Sequence, residues 1–159
     1  MKILFLGGTQ FVGLHMVEAA LAKGYSVTLF NRGKTNANLF PQAERIIGDR
    51  DGGLEPLRGH TWDVVVDVNG YVPRLVRDSA QFLKGSTGQY IFVSTGSVYN
   101  FPMLKAYSDE SAPLLTLDDP TTEEWNGPAY GGLKVLCENV VQELYPSNSM
   151  ILRLGVVAG

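Results

Sequence analysis

Short, almost unbroken apolar runs alternating with helical patterns constrain this chain more than any other feature. Lys2 to Leu6 (KILFL), Tyr25 to Phe30 (YSVTLF), Trp62 to Val68 (WDVVVDV), Gln89 to Val93 (QYIFV) and Met150 to Leu154 (MILRL) read as strands, and Ile46–Ile47 ends a shorter one. In–out alternation would mark a sheet with one wet face, whereas continuous Val/Ile/Leu runs mark a parallel sheet covered by helices on both faces. The intervening segments supply those helices. Phe11 to Lys23 places Phe11, Leu14, Met16, Val17, Ala20 and Leu21 on one broad face and ends at Gly24. Pro73 opens a helix continuing from Arg74 to Leu83, and Gly127–Pro128 opens another to about Leu144, with Pro146 just beyond. One helical turn is expected at Leu54 to Leu57. Right-handed crossovers then predict an α/β, doubly wound parallel sheet in order 3-2-1-4-5-6. Thr95 to Asn126 is left as a polar connection broken by Pro102, Pro113 and Pro120. At about 30 residues it far exceeds the median loop of ~4–6, and long loops at strand carboxyl ends are where ligands are usually met.

The 159 residues suit one domain. Lys plus Arg total 13 against 16 Asp plus Glu, a formal net charge of −3, which argues against a partner such as bulk nucleic acid. Cys137 is the single cysteine, so no disulfide framework exists, and His15 and His60 have no partner at ligand spacing, so no metal site is expected. No apolar run reaches the ~20 residues of a membrane span. The MKILFLGG start is cut by Gly7 and Gly8, too short for a signal peptide, and a cytoplasmic setting is the expectation.

Gly7-Gly8-Thr9-Gln10-Phe11-Val12-Gly13 links the first strand to the first helix, the context a dinucleotide fingerprint requires. Gly7 permits a tight turn and Gly13 lets helix and strand approach, so that the helix amides and dipole face a diphosphate. The alternative is a plain strand-to-helix turn. The second strand ends in Asn31-Arg32-Gly33-Lys34. It offers no carboxylate for a ribose 2′-hydroxyl, but two cations for a 2′-phosphate, so NADP(H) is preferred and NAD(H) remains second. A solvated basic turn is the competing reading. Asp49, after the third strand, could accept from an adenine amino group or cap its own turn.

Tyr130-Gly131-Gly132-Leu133-Lys134 places a phenol and an ammonium four residues apart, on one helix face. A free phenol with pKa near 10 is a poor base at neutral pH, and a nearby cation lowers an acid by roughly 1–3 units. Thr95, at the end of the fifth strand (VSTGSVY), is placed to orient a substrate oxygen, with Ser94 and then Ser97 behind it. The alternative makes Tyr130 a helix-start residue and Lys134 a surface charge.

In order and spacing, GGTQFVG, FNRGK, GDRD, VSTGSVY, YSDESAP, YGGLK and ILRLG resemble the N-terminal, cofactor-binding part of extended or atypical short-chain dehydrogenase/reductases, the NAD-dependent epimerase/dehydratase family. The GGTxFxG form is similar to an atypical subgroup labelled sugar epimerase, isoflavone-reductase-like or chloroplast RNA-binding protein. The resemblance implies one NAD(P)-binding Rossmann domain over 1–159, with the family's C-terminal substrate region absent. It puts Thr95, Tyr130 and Lys134 at the catalytic positions, and Val68, Asn69 and Gly70 along the cofactor. It implies hydride transfer at a carbinol or carbonyl of a small-molecule substrate, with a nucleotide sugar as the substrate class, and a homodimer through the helices Arg74–Leu83 and Gly127–Leu144. Four departures stand out. Gln10 replaces the middle glycine, Asn69-Gly70 replace two alanines, and Arg153-Leu154 replace an Arg-Pro pair. Gly96-Ser97 stand where 4,6-dehydratases carry Asp-Glu, which argues against dehydration. A second reading is a non-catalytic NAD(P)-binding regulatory or RNA-binding module.

Cys137 reads as a small packing residue. Trp62 and Trp125 read as anchors, with substrate contact the alternative for Trp125. Asp109-Glu110, Asp118-Asp119 and Glu123-Glu124 read as solvated charge.

Overall fold

The computed structural model describes residues 1–157. Six parallel strands, β1 (Lys2–Leu6), β2 (Ser26–Asn31), β3 (Glu44–Ile47), β4 (Trp62–Asp67), β5 (Thr87–Thr95) and β6 (Ser149–Leu154), form one sheet in the order β3-β2-β1-β4-β5-β6. Helices α1 (Phe11–Ala22), α2 (Pro73–Leu83) and α3 (Tyr130–Leu144) cover it. The two-residue period of a strand explains why both faces are apolar. In β1, Leu4 and Leu6 join Val65, Tyr90 and Phe92 in a core closed by Val76, Ala80 and Leu83 of α2 and Cys137, Val141 and Leu144 of α3. Ile3 and Phe5 point the other way, into a core with Leu29, Val64 and Val66 that Val17 and Ala20 of α1 close. Each such side chain, fully buried, contributes roughly 1.5–3 kcal/mol.

The expected fold and strand order are present; the differences lie at element ends. β5 begins two residues early and ends two late because it is hydrogen-bonded on both sides, to β4 and to β6. Val68 falls beyond β4, and Tyr25 precedes β2. The short turn is a 3-10 helix at Glu55–Leu57. Phe11 is not part of the buried face of α1: it opens the helix at φ +48 and is 57% exposed. Gly13, Val17 and Ala20 make that contact instead. Gly24 follows α1 at φ +72, a left-handed position that suits glycine.

The long connection is irregular but tethered. It forms 3-10 turns at Gly96–Val98 and Phe101–Met103 and a bridge between Tyr99 and Leu114. Arg153 of β6 donates to the Tyr99 hydroxyl (3.1 Å) and the Glu110 carbonyl (3.0 Å), while its other edge pairs with Glu138 of α3 (2.8 Å). Two glycines let the connection lie on α3. A Cβ on Gly131 would collide with the Ser97 carbonyl, and one on Gly132 would come 2.5 Å from the Leu117 side chain. Among the described residues no helix is long and apolar enough to cross a membrane.

Candidate functional site

A cleft of about 760 Å³ opens across the carboxyl ends of the strands. It is lined by Gly7, Thr9, Gln10, Phe11, Val12 and Gly13 from the first loop and by Asn31, Arg32 and Lys34 after β2. Asp49, Val68, Asn69, Thr95, Tyr130 and Lys134 complete the set that the sequence brings forward. Gly70 is the exception: it is buried beneath this surface, where a Cβ would come 2.5 Å from Phe92 and 2.8 Å from Val76.

The glycine loop has the shape of a diphosphate cradle. Gly7 lies at φ +103, and its Cβ would come 2.9 Å from Val68. A Cβ on Gly13 would sit 3.0 Å from the Gly8 Cα, so any side chain there would push α1 away from β1. Gln10 needs no glycine-like backbone: its φ of −144 is extended, and its side chain makes no capping hydrogen bond to the helix amides that follow it. Amides at a helix start suit an anionic group. The loop is braced by the Asn36 amide, which donates to the Thr9 carbonyl at 2.8 Å. At the end of β2, Asn31 accepts from the Gly33 N–H at 2.9 Å, while its own amide nitrogen is buried without a partner among the described residues. Arg32 and Lys34 are exposed and form no ion pair among the described residues. Asp49 caps its own turn, accepting from the Asp51 N–H at 3.1 Å.

Below the cleft lies an ion pair that sequence reasoning missed. Arg50 donates to both oxygens of Asp67 (3.1 and 2.8 Å), to Asn69 (3.3 Å) and to Ser79 (2.6 Å). Burial alone would raise the Asp67 carboxyl, but the charge and hydrogen bonds of Arg50 outweigh it and hold Asp67 below the usual carboxylate range. The Tyr90 hydroxyl donates to Asp67 at 3.0 Å. Asp67 also accepts from the Asn69 N–H at 3.3 Å, which fixes the turn leading to Gly70.

That turn matters because Lys134 is not a surface charge. It is 2% exposed, donates to the carbonyls of Gly70 (2.7 Å) and Val93 (2.8 Å), and stands 4.0 Å from the centre of the Phe92 ring. Burial lowers its pKa to about 8, with Asp67 opposing the drop. An ammonium has three donors, so one N–H is left without a protein partner among the described residues. Thr95 accepts from the Ser97 N–H at 3.1 Å, and among the described residues its own O–H donates to none, whereas Ser94 is buried and spent on Glu138. Tyr130 is half-buried at the start of α3. Tyr71, also not anticipated, lies beside it, and Trp125 stacks on Tyr71.

Other side chains sit as expected or are corrected. Cys137 is free and buried, and burial pushes its thiol up to about 12. His15 meets Glu18 at the surface, and His60 stacks on the buried Trp62. Glu123 is not merely solvated charge: both its oxygens accept from Arg74, at 2.7 and 3.1 Å. No cluster able to hold a metal ion occurs among the described residues.

No family model matches the chain. It is 31% identical over 127 residues to the chloroplast stem-loop binding protein of 41 kDa b from Arabidopsis thaliana, a match covering 70% of this chain and 33% of that protein. Among solved structures it is similar to UDP-glucuronic acid 4-epimerase from Bacillus cereus in complex with UDP-glucuronic acid and NAD (20% identity, TM-score 0.70, 96% of this chain and 56% of that one). It is also similar to vestitone reductase from alfalfa (21%, 0.70, 96% and 56%). An enzyme from Bordetella bronchiseptica in complex with NAD and UDP superposes as well (16%, 0.75, 96% and 52%). The chain thus spans about a third of the curated relative and about half of the solved chains. Sheet order, crossovers and these superpositions agree: the chain has the Rossmann fold of NAD-bound epimerases and short-chain dehydrogenase/reductases.

Proposed function

We propose that this chain binds NADP(H) and, in its protein, serves an oxidoreductase or epimerase that moves a hydride at a substrate carbinol or carbonyl. The observation that carries this is convergence: Thr95 of β5 and Tyr130 and Lys134 of α3 line the same cleft as the glycine loop. The residues fit the group. Gly7 and Gly13 leave the space that side chains would fill, the Gln10 side chain does not cap the α1 amides, and Arg32 and Lys34, exposed after β2, offer charge to a 2′-phosphate. When bound, the nicotinamide supplies or accepts the hydride. Tyr130 transfers the proton at the substrate oxygen. Lys134, still mostly charged at neutral pH with its pKa at about 8, offers its remaining N–H to a ribose hydroxyl. The O–H of Thr95 orients the substrate oxygen. Gly96 and Ser97 provide no acid–base pair, which sets dehydration aside.

The test is NADPH-dependent reduction of a panel of cyclic ketones, nucleotide-sugar ketones included, by the protein and its Tyr130→Phe variant. Removal of the acid should cost roughly 10²–10⁴-fold in rate, with NADPH affinity within twofold. Equal rates would take Tyr130 out of the mechanism.

A second reading follows from the Arabidopsis relative, whose name states stem-loop binding. The net charge of −3 and the pairing of Arg50, Arg74, Arg77 and Arg153 with carboxylates count against it. A gel shift at physiological salt that reveals tight stem-loop binding without turnover would favour it.

A further inference from the structure

The two ends of the cleft differ in chemistry. Arg32 and Lys34 stand exposed at the β2 end. The end occupied by Tyr130 has an aromatic wall. Trp125, at the close of the long connection, lies over Tyr71, from the loop after β4, with ring centroids 4.9 Å apart and planes 27° from parallel. Tyr71 in turn meets the Tyr130 ring at 6.4 Å. Two segments distant in sequence, the loop after β4 and the stretch leading into α3, thus bring two rings to the group proposed to transfer the proton.

Trp125 is not a core anchor, for it is 50% exposed. Its placement is nevertheless built. Glu123, two residues earlier, is gripped by Arg74 of α2, which also donates to Asp51 at 3.0 Å. Burial, with Tyr130 and Asp67 close by, pushes the Tyr71 phenol up, so this ring stays neutral. The cleft lining also includes Leu75, Leu154 and Val157, and two of the charges in it are engaged, Arg50 by Asp67 and Lys134 by two carbonyls. A half-exposed indole held against a neutral phenol ring is a rigid, apolar face that loses little entropy on binding.

We propose that Tyr71 and Trp125 form a stacking subsite that selects an uncharged ring with an apolar face as the part of the substrate presented to Tyr130. The inference deepens the NADP(H)-dependent reading and rests on it. A pyranose offers such a face through its axial C–H groups, and an aromatic substrate through its π face.

The test uses the chain saturated with NADPH and three probes: methyl glucopyranoside, resorcinol and, as an acyclic control, glycerol. Binding is read by saturation-transfer NMR and tryptophan emission. Trp62 is 6% exposed, so a ligand-induced change in emission reports Trp125. At least one ring probe should bind while glycerol does not. Its dissociation constant should rise at least fivefold in Trp125→Ala and return to within twofold of the parent in Trp125→Phe. A response to methyl glucopyranoside alone assigns a sugar, to resorcinol alone an aromatic substrate, and to both the shared apolar-face chemistry. Equal affinities in the parent and Trp125→Ala, or no binding of either ring to the NADPH-loaded chain, overturn the proposal and leave the NADP(H) reading standing. Failure of the parent chain to take up NADPH overturns that reading, and the subsite with it.

Discussion

Burying Lys134 against two carbonyls costs free energy that depends on pH. Its pKa falls from 10.5 to about 8 on folding because burial disfavours the ammonium. Between pH 8 and pH 10.5 the unfolded chain therefore binds more protons than the folded one, and stability rises with pH through that window. A shift of this size corresponds to roughly 3–4 kcal/mol at most. In Lys134→Met the contribution disappears. The denaturation midpoint of the parent should climb from pH 8 to pH 10.5 relative to the variant, and parallel pH profiles would refute the assignment. The spacing of Tyr130 and Lys134 was legible because i and i+4 share a helix face. The burial of Lys134 was not, since it depends on Phe92 beneath it and on the Asp67–Gly70 turn, which spacing along α3 cannot report. Tyr71 was missed for a related reason: it follows Asn69-Gly70 directly, but its partners Trp125 and Tyr130 lie more than 50 residues away.

At the scale of elements, the end of β4 decides how well the site is organised. Its last residue, Asp67, is fully buried and bonded to Arg50 from the loop after β3. A buried pair is a weak source of net stability, but removing one partner strands a charge and costs roughly 3–5 kcal/mol. Arg50→Met should lose about that much in urea denaturation, and Asp67→Leu added to it should recover part of the loss. Strict additivity of the two substitutions would mean that the pair is not coupled. Nothing in the sequence flagged this pair, because Arg50 and Asp67 each look like ordinary polar residues flanking a strand and meet only through the β3-β2-β1-β4 arrangement. The strands themselves were legible because each feeds two cores, which demands an unbroken apolar run. Their ends were less so: whether Thr87 or Thr95 joins β5 depends on the hydrogen bonds that β4 and β6 offer, not on the residues' own propensity.

At the scale of the whole molecule, an acidic chain keeps Arg32 and Lys34, unpaired among the described residues, at one end of its cleft while Arg50 and Arg74 are tied to carboxylates. The topology that produces this arrangement was legible from strand–helix alternation and handedness; the aromatic closure of the opposite end was not, since Trp125 arrives through an irregular connection held by Arg74 and Arg153. The charge asymmetry makes a prediction about cofactor choice. A charge-assisted contact to a 2′-phosphate contributes about 1.5–3 kcal/mol, so NADPH should bind roughly 10–100-fold more tightly than NADH. At 100 times its dissociation constant NADPH stabilises the fold by ~2.7 kcal/mol, which for a chain of this size raises the melting temperature by roughly 5–10 °C. The same concentration of NADH, lying at only 1–10 times its own constant on that ~10–100-fold difference, should give roughly half of that shift or less. Arg32→Ala should bring the NADPH shift down to the NADH value, and added salt should narrow the gap between the cofactors in the parent chain, since the contact lies at an exposed site. Equal melting shifts for NADPH and NADH, unchanged in Arg32→Ala, would show that the basic turn is solvated and takes no part in selecting the cofactor.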